Sequence, residues 1–143
     1  MQRAIVTSCW STKLPDSHAP IGISRGTPRN RSGFRRYTPL QPGPWFSTAS
    51  LEEFTKLYGD ILNALDPEKV VRDLHEIAGD RMLTLLCWEP AEPGPKWCHR
   101  GLVAAWLYDK LGLEVFEFGQ EHEGCGHAHP KLHPDVRVTG SQR

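Results

Sequence analysis

The chain has 143 residues, 38% of them hydrophobic, and its 17 Lys and Arg balance its 17 Asp and Glu. That length suits one domain burying roughly two-thirds of the surface its unfolded form exposes, and no apolar run approaches the roughly 18 residues of a membrane span. The apolar stretch after Arg3 is broken at Thr7 and Ser8, too short for a secretory leader, and the four cysteines lack the density or CxxC spacing of a disulfide scaffold. A cytoplasmic protein with reduced thiols and no membrane partner is expected.

In chain order, Ala4 to Cys9 reads as a first strand, and Ile21 to Ser24, entered after Pro20, as a short second one. His18, in a proline-flanked loop, reads as a surface residue. Residues 25–48 hold proline and glycine without sustained period and should form a long irregular excursion. Ser50 and Glu53 make a capping box, after which Leu51, Phe54, Leu57, Ile61, Leu62 and Leu65 share one helical face. Asp66-Pro67 starts a second helix with Val70, Val71, Leu74 and Ile77 inward, His75 at the surface and Gly79 as its stop. Met82 to Cys87 is a continuous apolar run, as a central strand covered on both faces requires. Leu102, Val103, Trp106, Leu107 and Leu111 define a third helix closed by Gly112, and Val115 to Phe118 alternates apolar and acidic like an edge strand. The alternation predicts an α/β fold: a single Rossmann-like domain with a mostly parallel sheet of about four strands flanked by helices.

In open α/β sheets ligands bind outside the carboxyl ends of the strands. Those ends carry Ser8, Cys9 and Ser11, then Ser24, Arg25 and Gly26, then Cys87 and Glu89, while the facing helix starts with Cys98-His99-Arg100. Strand ends are wetter than strand middles in any protein, which explains Ser8 and Ser11 but not four charged or titratable groups on one edge. A helix start offers free N–H groups and the positive end of its dipole, so an anion clamped by Arg25 and Arg100 is expected there, with Ser8, Ser11, Ser24 and Gly26 around it. The same surroundings would turn Cys98 into a thiolate nucleophile, with His99 beside it and Glu89 as acid, base or orienting carboxylate. Cys87 is the alternative nucleophile by analogy with rhodanese and cysteine-phosphatase loops. A strand cysteine is more often a small core hydrophobe, and Cys87, Cys98 and His99 could also serve only to fix the loop between them.

Charge is segregated. Residues 1–43 carry seven Lys or Arg against Asp16 alone, and residues 44–124 carry fifteen acids against seven bases. Arg29, Arg31, Arg35 and Arg36, interleaved with Phe34 and Tyr37 and followed by Trp45, read as a nucleic-acid-binding arm, or else as a solvated loop paired with the acidic helices.

Three segments carry a family resemblance. Leu85-Leu86-Cys87-Trp88-Glu89, then Cys98-His99-Arg100-Gly101-Leu102-Val103-Ala104-Ala105-Trp106-Leu107, and upstream Ile21 to Pro28 together resemble the bacterial and phage family of domain of unknown function 488 (DUF488), with its YeaO-like relatives. The resemblance spans roughly residues 4–119 and implies a compact α/β domain, with Ser24, Arg25, Gly26, Pro28, Cys87, Glu89, Cys98, His99 and Arg100 at motif positions. It implies no reaction. The stretch from Cys87 to Cys98 is longer and richer in proline than the family pattern, and residues 120–143 form a tail without counterpart.

That tail holds Cys125, His127 and His129, with His122 and His133 nearby, a composition competent to bind zinc, although Pro130 and Pro134 argue against regular structure. Elsewhere no cofactor is expected. The resulting expectation is a domain that binds a phosphate-bearing ligand, a nucleotide or a nucleic-acid end. A cysteine-dependent transferase or hydrolase is preferred over a non-catalytic binder, such as a phage protein that sequesters a nucleotide, and over a metal-binding structural or interaction domain. The residues leave the oligomeric state open.

Overall fold

The computed structural model describes residues 4–138. Five strands, β1 (Ile5–Cys9), β2 (His18–Gly22), β3 (Arg35–Arg36), β4 (Met82–Cys87) and β5 (Val115–Glu117), form one all-parallel sheet in the order β3-β2-β4-β1-β5. Three α-helices accompany them among the described residues: α1 (Leu51–Asn63), α2 (Pro67–Ala78) and α3 (His99–Leu111).

The helix boundaries follow local chemistry. Ser50 caps α1 by accepting from the Glu53 N–H while Glu53 accepts from the Ser50 N–H. Asp66 caps α2 with Pro67 in its first turn, and Gly112 closes α3 in the left-handed region at φ 66°. The central position of β4 agrees with its run of apolar residues, interrupted only by Thr84, which is itself fully buried.

Register builds the core. Ile5 lies beside Leu83 and Val115, Ile21 beside Leu85, and Cys9 beside Cys87. Paired residues of a parallel sheet share a face, and this face packs with Phe54 and Tyr58 of α1, Val70 and Leu74 of α2 and Val103 and Leu107 of α3. On the other face the Trp10 indole lies over Gly22, where a Cβ would meet the ring at 2.7 Å, and Phe34 meets Trp10 edge-on at 5.0 Å.

Four details differ from the sequence expectation. The second strand runs from His18 to Gly22, through Pro20 rather than after it. Ile23 donates to the Leu86 carbonyl while Gly22 accepts from Tyr37, so even positions of β2 face β3, which pairs only with Ile21 and Gly22. The missing N–H of Pro20 therefore breaks no ladder bond. A fifth strand, β3, sits inside the supposedly irregular excursion, which is also tied down by Tyr58 donating to the Leu40 carbonyl at 2.6 Å and Tyr37 donating to Asp73. His18 is half-buried against Phe118 at 5.0 Å, and His75 is half-buried on α2.

The tail is the largest difference. It forms two short turns, Glu121–Glu123 and Gly126–Ala128, the second packed against α3, with Ala128, His129, Lys131 and Leu132 buried; residues 139–143 lie outside the described residues. No helix among the described residues is long and apolar enough to cross a membrane.

Candidate functional site

The carboxyl end of β4 delivers Cys87, and the start of α3 delivers Cys98, its extended N-cap residue, and His99. All three are buried. The His99 Nε2 lies 2.8 Å from the Ile23 carbonyl oxygen, which makes Nε2 a donor and leaves Nδ1 facing the two sulfurs. Nδ1 is 3.7 Å from the Cys98 sulfur and 3.8 Å from the Cys87 sulfur, and Nε2 is 3.5 Å from the latter. The Tyr58 ring stands edge-on to His99 at 5.2 Å and helps fix the imidazole plane.

A cavity of about 260 Å³ opens onto this cluster. Cys98, His99 and Glu89 form one end, Phe46, Phe54, Trp88 and Trp97 supply aromatic wall, and Arg25 lies at the edge. Cys87 does not line it and closes the cluster from the core side. Arg25 is exposed and, among the described residues, donates one bond, from Nη1 to the Pro42 carbonyl, leaving its other nitrogens available there.

Electrostatics distinguish the two thiols. Burial pushes both upward; for Cys98 the hydrogen bond from Cys87 and the charges of His99 and Arg100 outweigh it and hold this thiol well below the ordinary range. Burial and the neighbouring Cys98 push Cys87 well above that range, so Cys87 acts as the S–H donor. His99 rises despite its burial because the Cys98 thiolate lies against it, and Glu89 rises through burial and the same negative charge.

Arg100 does not clamp an anion with Arg25. Its side chain is 0% exposed and forms a bidentate pair with Glu117, also 0% exposed, Nε to Oε1 at 2.9 Å and Nη2 to Oε2 at 2.7 Å. Nη2 also donates to the Glu89 carbonyl, while Nη1 is buried without a partner among the described residues. The guanidinium thus holds β5 and the loop after β4 onto α3. Although β5 is an edge strand, its Glu117 points inward.

This pair extends into the tail. Thr7 donates to Glu117 at 2.7 Å and lies 2.7 Å from the His129 Nε2, whose ring accepts the Lys131 N–H at Nδ1. The Lys131 carbonyl accepts the Cys98 N–H, and its ammonium donates to the Glu92 carbonyl, so the tail closes one donor at the helix start and pins the loop before it. Burial, then the Arg100 charge, push the His129 pKa down to about 3. The unfolded ring titrates near 6.5, so as pH falls the unfolded chain binds the proton first. This contribution is complete above about pH 6.5 and is lost toward pH 3, at up to about 1.4 kcal/mol per unit. Urea denaturation at about pH 7 and 5 should show His129→Gln losing less stability on acidification than wild type; equal losses would contradict a buried neutral imidazole.

The remaining sequence candidates support the site or lie outside it. Ser8 is buried with its hydroxyl unpartnered among the described residues, and Ser11 bonds the Cys9 sulfur at 3.2 Å. Ser24 accepts from the Trp10 indole and donates to the Gly26 carbonyl, which also receives the Trp88 indole N–H. These groups shape the loops rather than line the cavity. Arg29, Arg31, Arg35 and Arg36 are exposed and form no ion pair among the described residues, although Arg31 stands 5.9 Å over Trp10. The aromatic residues expected to stack on bases are otherwise engaged: Phe34 on Trp10, Tyr37 on Asp73, Trp45 on Phe54.

The tail does not gather the expected metal ligands. Cys125 reaches toward Glu114, His127 bonds Asp109 at 2.8 Å and His129 is buried against Thr7. Among the described residues, the group with donor atoms close enough for one ion is Cys87, Cys98 and His99, all within 4.8 Å of one another. Sequence reasoning reached these residues and Glu89, but missed Phe46, Phe54, Trp88 and Trp97 as cavity wall. Trp88 and Trp97 adjoin Cys87 and Cys98 in sequence, and that adjacency was the available signal. No family model, curated protein or solved structure matches this chain.

Proposed function

We propose that the protein binds a small ring-bearing molecule carrying phosphate, a nucleotide or the end of a nucleic-acid strand, and is an enzyme whose reaction centre is the Cys98 end of this cavity. The observation that carries the reading is the composition of that single space: aromatic walls, one exposed guanidinium, and a buried Cys98, His99 and Glu89 end. Phe46 and Trp88 are 46% and 51% exposed, and large aromatic faces left open beside a cavity are the surfaces on which bases stack. A volume of about 260 Å³ lies just under the roughly 300–1,000 Å³ of ligand pockets, so it suits the ring, with phosphate outside at Arg25. The resemblance to the DUF488 family, carried by the same cysteines, belongs to this proposal and adds no reaction to it.

Calorimetric titration of nucleoside monophosphates into wild type and Arg25→Ala tests the reading. A charge-assisted hydrogen bond contributes about 1.5–3 kcal/mol, so the variant should bind at least roughly tenfold more weakly. Equal affinities, or no binding by wild type, would overturn it.

A further inference from the structure

We propose that Cys87, Cys98 and His99 bind a divalent cation of borderline softness, Zn²⁺ foremost, with its fourth coordination position open to the cavity. The inference rests on the reading of that cavity as the working site and names the cofactor it would hold.

The distances carry the argument. A tetrahedral zinc ion with sulfur at about 2.3 Å and nitrogen at about 2.0–2.1 Å sets its S and N ligands about 3.6 Å apart and two sulfurs about 3.8 Å apart. Here the Nδ1 of His99 is 3.7 and 3.8 Å from the two sulfurs, with the Cys87 sulfur also 3.5 Å from Nε2, and one ligand atom from each of the three residues lies within 4.8 Å of the others, so that loss of the imidazole proton to an arriving ion frees Nδ1 to bind it. The other ring nitrogen is tied to the Ile23 carbonyl at 2.8 Å. A backbone acceptor on the far nitrogen is the usual support of a metal-bound imidazole, because it fixes both tautomer and ring plane.

Position and chemistry agree with distance. Two cysteines and a histidine are buried together, joined by sulfur–nitrogen contacts of 3.5–3.8 Å and the hydrogen bond from the Cys87 thiol to Cys98, weak partners for groups withdrawn from water. Two thiolates would neutralise a divalent ion, and the mixed S₂N donor set favours zinc, whereas Mg²⁺ and Ca²⁺ prefer oxygen. Cys87 stands at a strand end and Cys98-His99 at a helix start, so both halves are rigid before an ion arrives. Cys98 and His99 line the cavity while Cys87 backs them from the core. Three protein ligands with an open position toward a cleft is the arrangement of catalytic rather than structural zinc.

Anaerobic titration of the reduced wild-type protein with Co²⁺ alone requires no variant. One equivalent should produce the visible bands of four-coordinate cobalt and a thiolate-to-cobalt charge-transfer band, both abolished by one equivalent of Zn²⁺. Cys87→Ser, Cys98→Ser and His99→Ala, each checked for folding by circular dichroism, should weaken cobalt binding at least roughly 100-fold, whereas the double substitution Cys125→Ser, His127→Ala in the tail should change nothing. Absence of the cobalt bands in wild type, or bands that survive the cluster substitutions and vanish with the tail substitutions, would overturn the proposal. Nucleotide binding without cobalt binding refutes the ion and spares the cavity reading; cobalt binding without nucleotide binding does the reverse.

Discussion

Replacing Arg100 with alanine should cost about 3–5 kcal/mol of folding stability, because it strands the Glu117 carboxylate in a fully buried position. A rim arginine reserved for a ligand would behave differently: its loss would lower ligand affinity and leave the midpoint of urea denaturation where it was. Removing both charges together, as Arg100→Met with Glu117→Leu, should restore much of the loss, since desolvating an ion pair costs nearly what its attraction returns. Urea denaturation of the three proteins decides the matter. A cost below about 1 kcal/mol for Arg100→Ala would show that the pair does not hold α3 against β5.

Gly101→Ala should also destabilise the protein, in opposition to helix propensity. Alanine is the better helix former by about 1 kcal/mol at an ordinary site, but here a Cβ would stand 2.6 Å from the Lys131 carbonyl carbon and 2.7 Å from the Leu132 nitrogen. Both are backbone atoms and cannot rotate away, so either the helix or the tail must move. Overpacking of this kind costs typically about 1–3 kcal/mol. Displacing the tail would also break the bond from the Cys98 N–H to the Lys131 carbonyl and so disturb the cluster itself. Trypsin cleavage after Lys131 should accelerate in the variant. A variant as stable and as resistant as wild type would mean that the tail is not part of the domain core.

Much of the fold was legible because the helices announce themselves locally. The reciprocal Ser50 and Glu53 cap, the Asp66-Pro67 start and the Gly112 stop are each short-range devices, and the run from Met82 to Cys87, apolar but for Thr84, marks a strand without a solvent face. What stayed hidden depends on pairing at long range. The strand Arg35–Arg36 has no apolar pattern, and it pairs only because β2 offers Ile21 and Gly22 on its open side. Glu117 looks like the outward residue of an alternating strand until Arg100, on the preceding helix, is placed against it. His129 and Lys131 read as polar tail residues, yet they are buried because Gly101 permits their backbone to approach α3. In the site, Cys87, Cys98, His99, Glu89 and Arg25 were visible as chemistry gathered at strand and helix ends. Arg100 was misjudged because a guanidinium at a helix start reads as an anion clamp until a buried acid lies within reach.

The central claim, that the aromatic cavity ending at Cys98 is where a phosphate-bearing ring binds, is tested most directly by a crystal structure of the protein with a nucleoside monophosphate at saturating concentration. The account predicts the ring within the walls formed by Phe54, Trp88 and Trp97 and the phosphate against the free nitrogens of Arg25. An empty cavity with the nucleotide resting instead on Arg29, Arg31, Arg35 and Arg36 would contradict it.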